Sequence, residues 1–167
     1  PYVTSTLQQD GNRKLRLSAR RTMTIAQQLY ENGFITYMRT DSTTLSNEAL
    51  QGARKYIGAN FGEEYQLPAP RQYQTKVKNA QEAHEAIRPA GEDFVDAARV
   101  LQQLGPEAGK VYEMILRRTL ASQMPDARGT NIAVIVEAGS GRFRASGKTV
   151  EFPGFLRAYL AGEDLTA

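Results

Sequence analysis

The run Ile35-Thr36-Tyr37-Met38-Arg39-Thr40-Asp41-Ser42 is the densest cluster of reactive side chains in this chain. A phenol with an ordinary pKa near 10 needs help to shed its proton at neutral pH. Arg39, two residues beyond Tyr37, would favour the phenolate and can grip a phosphate oxygen in a bidentate way. In an extended stretch residues i and i+2 point to the same side, so Tyr37 and Arg39 can face one substrate atom. Thr40, Asp41 and Ser42 add donors and an acceptor that could orient the arginine. A plainer reading also stands: Tyr37 packs in a half-buried strand, Arg39 is a surface charge, and the Thr-Asp-Ser run caps the next helix. Of the eight tyrosines only Tyr37 has this polar company.

A second cluster is Glu82-Ala83-His84-Glu85-Ala86-Ile87-Arg88-Pro89. On a helix His84 and Arg88 share a face, and a titratable donor beside a permanent cation suits an anionic phosphate. The alternative is an amphipathic helix end with Glu85 or Glu82 neutralising Arg88. Farther upstream, Arg13-Lys14, Arg16 and Arg20-Arg21 follow Thr4-Ser5-Thr6 and Gln8-Gln9. Such a mixture suits a phosphodiester backbone, or simply a solvated helix entrance.

Composition removes several chemistries. With 41% apolar and 23% charged residues in 167, the chain has the make-up of a globular protein, and no apolar run is long enough to span a bilayer. Cysteine is absent, which excludes thiolate chemistry, and His84 as the one histidine leaves little room for a histidine metal cage. No phosphate loop, HExxH or GxSxG motif occurs, and the carboxylates are too scattered for a Mg²⁺ trio. The net charge of +3 is mild but uneven: residues 1–90 hold 12 Lys/Arg against 8 Asp/Glu, a net of +4. A polyanion-binding face therefore belongs in the first half. The start at Pro1, without methionine or a signal segment, reads as a cut from something longer.

The elements that must position these residues are mostly helical. Ser18 caps a helix with Ile25, Ala26 and Leu29 on one face and Gly33 as its stop. A short β-prone stretch, 34–38, leads into a polar turn, and Ser46 caps a helix through Ala49, Leu50, Ala53 and Ile57 that ends near Gly58. Residues 60–78 read as loop, and Gln81 to Arg88 as a short helix stopped by Pro89. Phe94 to Leu104 is a further helix. Pro106 opens another with Val111, Met114, Ile115 and Leu120 as its stripe. After Pro125 the period becomes alternating: strands at 132–136 and 143–152 flank a turn at Gly139-Ser140-Gly141. The expected fold is mainly α with a small β part (α+β), with a boundary near Arg128-Gly129. Two strands alone are marginal, so they should pair with strands not in this chain or with a second copy.

The blocks Thr4-Ser5-Thr6-Leu7-Gln8-Gln9, Ile35 to Ser42 and Glu82 to Pro89, in this order, resemble bacterial type IA DNA topoisomerase I across essentially the whole chain. The resemblance implies that Tyr37 attacks a phosphodiester of single-stranded DNA and becomes joined to the 5′ phosphate. The free 3′ hydroxyl later reverses the step, so negative supercoils relax without ATP. Arg39 matches the arginine that stabilises the phenolate and the phosphoryl transition state, and His84 a histidine that assists at the scissile phosphate. Gln27 and Glu31 match positions that shape the nucleotide pocket, Thr40, Asp41 and Ser42 fall in the same motif, and Arg88 is expected as a DNA-binding residue beside His84.

The resemblance also says what to expect elsewhere. Family members begin with a Toprim domain whose acidic residues hold Mg²⁺ and whose lysine helps the leaving group, and none of these motifs occurs here. Residues 1–128 correspond to the helical tyrosine-bearing domain, 129–157 to a strand pair of the arch-forming β domain, and 158–167 to the start of the next. The expected partners are single-stranded DNA and the remaining domains, in the cytoplasm at the nucleoid, with no membrane. Without those domains the piece is expected to be inactive. A tyrosine recombinase would place its tyrosine after the basic residues, whereas Tyr37 precedes His84 and Arg88. A non-catalytic helical DNA-binding module would need a richer recognition helix than Asn47, Gln51 and Arg54 provide.

Overall fold

The computed structural model describes residues 1–73 and 85–160. Among these residues five α-helices run in chain order: α1 (Thr4–Leu15), α2 (Ala19–Glu31), α3 (Asn47–Asn60), α4 (Ala97–Leu104) and α5 (Pro106–Ser122). They are followed by an antiparallel hairpin of β1 (Arg128–Ala138) and β2 (Gly141–Phe152). The expected start signals operate. The Ser18 Oγ accepts from the Arg21 amide at 3.1 Å, the Ser46 Oγ accepts from the Ala49 amide at 3.2 Å, and Pro106 stands at the first turn of α5. Beyond α2, Gly33 takes φ +76°, a left-handed value that a side chain resists.

The core forms around α5, where Val111, Tyr112, Ile115 and Leu120 are buried against Leu7 of α1, Ile25 and Leu29 of α2, Ile57 of α3 and Val100 of α4. Helix α1 lacks a strong local signal, because hydroxyl residues and a mid-helix glycine favour it little. Its packing requires that glycine. A Cβ on Gly11 would sit 2.5 Å from Thr22 Oγ1 of α2, so the two helices approach too closely for a larger residue.

Two local expectations are corrected. Residues 34–38 form no strand; Ile35 makes a single isolated bridge to Pro89. Residues 85–88 are extended, not helical, with Ile87 bridged to Tyr2. The residue before a proline is driven out of the α region, and the amides of this stretch pair with distant carbonyls: Ala86 with Thr44, Ile87 with Tyr2. The other half of that expected helix lies outside the described residues.

The hairpin is longer than its apolar runs, with Gly139 at φ +60° in a two-residue turn. Alternation puts Ile132, Val134, Val136 and Phe143 on one face, all exposed. Pairing ends at Phe152, whose ring stacks on Tyr65 at 5.1 Å. The chain then returns to the helices: the Phe155 amide donates to the Pro125 carbonyl at 2.8 Å, and a short 3-10 helix, Gly154–Ala158, packs on α5. Among the described residues no helix is long and apolar enough to cross a membrane.

Candidate active site

Tyr37 and Arg39 stand on a loop between α2 and α3 that is fastened on both sides. Alternation brings both to the surface: Ile35 and Met38 are buried, whereas Tyr37 is 43% exposed and Arg39 is exposed. On the near side, Thr36 Oγ1 donates to the Ala86 carbonyl at 2.8 Å and accepts from the Arg88 amide at 3.1 Å. Its own amide donates to the Arg88 carbonyl at 3.0 Å. On the far side, Thr4 Oγ1 donates to the Met38 carbonyl at 2.7 Å and accepts from the Thr40 amide at 2.9 Å. The Thr4 amide donates to the Thr40 carbonyl at 3.0 Å. Two threonine hydroxyls, one in the loop and one on α1, thus bracket the tyrosine and the arginine. The sequence reading gives Thr36 no role and uses Thr4 only within the hydroxyl-rich run Thr4-Ser5-Thr6. A signal existed in their flanking positions within the quoted blocks, but their partners are fixed only by the tertiary fold.

The remaining motif residues divide by task. Thr40 Oγ1 accepts from the Ser42 amide at 3.0 Å, and Ser42 Oγ accepts from the Thr44 amide at 3.2 Å, so both hydroxyls shape the backbone. Asp41 is exposed, with no side-chain partner among the described residues. Tyr30 of α2 meets Tyr37 edge to face, with centroids 5.2 Å apart and planes at 67°. This exposed aromatic partner escapes a reading by sequence blocks.

Gln27 and Glu31 lie where a ligand could reach them. Gln27 Nε2 donates to Glu31 Oε1 at 2.7 Å, and both line a cleft of about 640 Å³ together with Gln8, Arg20 and Arg39. Neither Arg20 nor Arg39 has a side-chain hydrogen bond or ion pair among the described residues. The cleft therefore carries two uncommitted guanidinium groups and one carboxylate. A single carboxylate between two arginines is a poor oxygen cage for Mg²⁺, and among the described residues no three acidic or imidazole side chains converge. The donor set here does not fit that ion.

Arg88 departs from its expected place. Its side chain is only 4% exposed. Nη1 donates to the Pro89 and Gly91 carbonyls at 3.0 and 2.9 Å. Nη2 donates to Ser46 Oγ at 3.1 Å, Glu48 at 2.8 Å and Glu85 at 3.0 Å. The guanidinium is turned inward and ties the start of α3 to the 85–91 segment, so it does not face a phosphate in solvent. The pairing with Glu85 matches the alternative weighed for this cluster, although without a helix. Burial opposes ionisation of Glu85, but the hydrogen bonds from Ser46 and the charge of Arg88 outweigh it and hold the carboxyl below its usual range. His84 lies outside the described residues.

With this geometry in view, comparison with known proteins decides the family. A family model described as DNA topoisomerase matches residues 1–166. The chain belongs to the DNA topoisomerase family. Similar relatives are named DNA topoisomerase 1: that of Mycobacterium leprae is 57% identical over 168 residues, and that of Synechococcus elongatus 55% over 166. Each alignment covers 98% of this chain and 18% of the relative, so the chain spans about a fifth of their length. The full-length topoisomerase I structure from Thermotoga maritima matches with a TM-score of 0.80 at 37% identity, covering 98% of this chain and 27% of that one. A topoisomerase segment with these helices and this hairpin accounts for the fold.

Proposed function

We propose that this chain is the tyrosine-bearing part of a type IA enzyme that breaks and reseals one DNA strand, and that Tyr37 is its nucleophile. The observation that carries this reading is the exposed Tyr37 beside the uncommitted Arg39, on a loop fastened by Thr36 and Thr4. In the forward step the Tyr37 phenol oxygen forms a bond to phosphorus and gives up its proton. The bond from phosphorus to the 3′ oxygen breaks, and that oxygen leaves with a proton as the 3′ hydroxyl. The product is a 5′-phosphotyrosyl ester. Attack by the 3′ hydroxyl reverses each change, and the ester keeps the phosphate activated, so resealing needs no ATP. Arg39 supplies positive charge where the equatorial oxygens gain negative charge, a contribution of several kcal/mol in comparable sites. Between the two steps another strand passes and negative supercoils relax.

The reading assigns Gln27 and Glu31 to shaping the nucleotide pocket, Thr40, Asp41 and Ser42 to supporting the motif, and His84 to the scissile phosphate. Mg²⁺ would be held by a domain other than this one, and the exposed face of the hairpin would join an arch-forming β domain of the parent, a cytoplasmic enzyme of the nucleoid. Alone, the 167-residue chain would bind DNA weakly and would not relax it. The test is Tyr37→Phe in the full-length parent, read as the protein–DNA adduct trapped by denaturation. The adduct should vanish while noncovalent binding to single strands stays within about twofold. An adduct that persists makes another residue the nucleophile, and plasmid relaxation by the isolated chain with Mg²⁺ would show that it suffices.

A further inference from the structure

The cleft that Arg39 lines runs along α2 as far as Ala19 and Arg20. Its floor is one face of α2, where Arg20, Gln27 and Glu31 follow at intervals of two turns and one turn. Gln8 of α1 and Arg39 of the loop form other parts of its wall. Arg20 and Glu31, eleven residues apart on a helix, are separated by about 16 Å along the axis. Two lining side chains are cationic, Arg20 in the first turn of α2 and Arg39 on the loop, and neither has a partner among the described residues. The C-terminal half of α2 is different: Gln27 holds Oε1 of Glu31, which leaves Oε2 as an acceptor that would repel a phosphate and attract an N–H donor.

We infer that this face of α2 is a rail for a single DNA strand, with Arg20 as a distal phosphate clamp. Arg39 takes the phosphate at the reacting end and Arg20 a phosphate farther along. Base edges with exocyclic amines meet Gln27 and Glu31. At about 3.4 Å per stacked nucleotide the rail spans no more than about five nucleotides, and an unstacked strand would cover it with fewer. The inference rests on the function proposed above for its ligand, but not on which residue attacks the phosphate.

The experiment uses the full-length parent carrying Tyr37→Phe, so that binding is read without chemistry. Fluorescent oligonucleotides extend either one or at least five nucleotides past the scissile position, in separate series for the two directions. Arg20→Gln should make the slope of log K against log salt shallower by about 0.7 for the long oligonucleotides of one direction. The short ones should bind as before. Arg20→Lys should keep the slope, and Arg99→Gln, which removes an exposed charge outside the cleft, should show no dependence on length. An equal loss at every length, an equal loss from Arg99→Gln, or an unchanged slope would overturn the rail. Adduct formation by the parent with Arg20 intact reads the nucleophile assignment separately: it should be lost in Tyr37→Phe, and an adduct that survives there would count against Tyr37 and not against Arg20.

Discussion

Thr4 and Thr40, 36 residues apart in the chain, are joined by a reciprocal pair of hydrogen bonds. The Thr4 amide donates to the Thr40 carbonyl, and the Thr40 amide donates to Thr4 Oγ1. The same hydroxyl donates to Met38, so one side chain fixes the backbone on both sides of Arg39. Thr4→Val keeps the shape but removes the side-chain bonds to Met38 and Thr40 and strands the Thr40 amide. The expected loss is about 2 kcal/mol, or a Tm lower by about 4–8 °C. Cleavage in the full-length parent should fall more than single-strand binding, and Thr4→Ser should restore most of both. Equal losses in cleavage and binding would limit Thr4 to holding the fold.

Arg88 supports the loop from beneath. Arg88→Met removes a buried cation from Ser46, Glu48 and Glu85, and leaves Glu85 with its charge poorly compensated. Breaking a buried pair from one side costs about 3–5 kcal/mol, and the partial exposure of both glutamates places this case near the lower end. Chemical denaturation of the 167-residue chain measures it. Because the guanidinium does not face solvent, the salt slope of DNA binding should be unchanged in any folded Arg88 variant.

Acid sensitivity follows from two carboxyls. Asp10 accepts from the Tyr2 hydroxyl at 2.5 Å and pairs with Arg13 and Lys14. Its burial opposes ionisation, but these partners prevail and lower its pKa, as Ser46 and Arg88 do for Glu85. A folded pKa below the unfolded one means that the unfolded chain binds more protons over that window. The stabilisation is present above the ordinary carboxylate range and is lost as pH falls through the folded values. Thermal melts should show Tm dropping below about pH 4.5. Asp10→Asn and Glu85→Gln should each lower Tm at neutral pH and flatten that acid limb.

Much of this arrangement was legible from local chemistry, and the rest was not for identifiable reasons. Ser18, Ser46, Pro106 and Gly33 mark helix ends by hydrogen bonds or backbone angles that belong to single residues and their near neighbours. The side-by-side exposure of Tyr37 and Arg39 follows from alternation around buried Met38. Helix α1 escapes because its stability comes from Leu7 in the core and from the approach of Gly11 to Thr22, neither of which has a local signature. Arg88 is misplaced by a reading confined to its own segment, since Ser46 and Glu48 reach it from 42 and 40 residues away. Helical spacing pairs it with His84 only if residues 85–88 are helical, and Pro89 together with the carbonyls of Tyr2 and Thr44 prevents that.

The edge-to-face contact of Tyr30 with Tyr37 supplies the remaining prediction. Both rings are exposed, so the pair contributes little to the core, and its effect falls on the orientation of the Tyr37 ring. Such contacts contribute about 0.5–1.5 kcal/mol beyond the area they bury. Tyr30→Phe keeps the ring and should leave adduct formation unchanged. Tyr30→Ala releases the Tyr37 ring to other rotamers and should slow adduct formation by up to about tenfold, with Tm within about 2 °C of the parent. Single-turnover cleavage at saturating oligonucleotide separates this from a binding defect: the rate should fall while the concentration for half-saturation stays put. If the half-saturation rises and the rate does not fall, Tyr30 contacts the strand and does not position Tyr37.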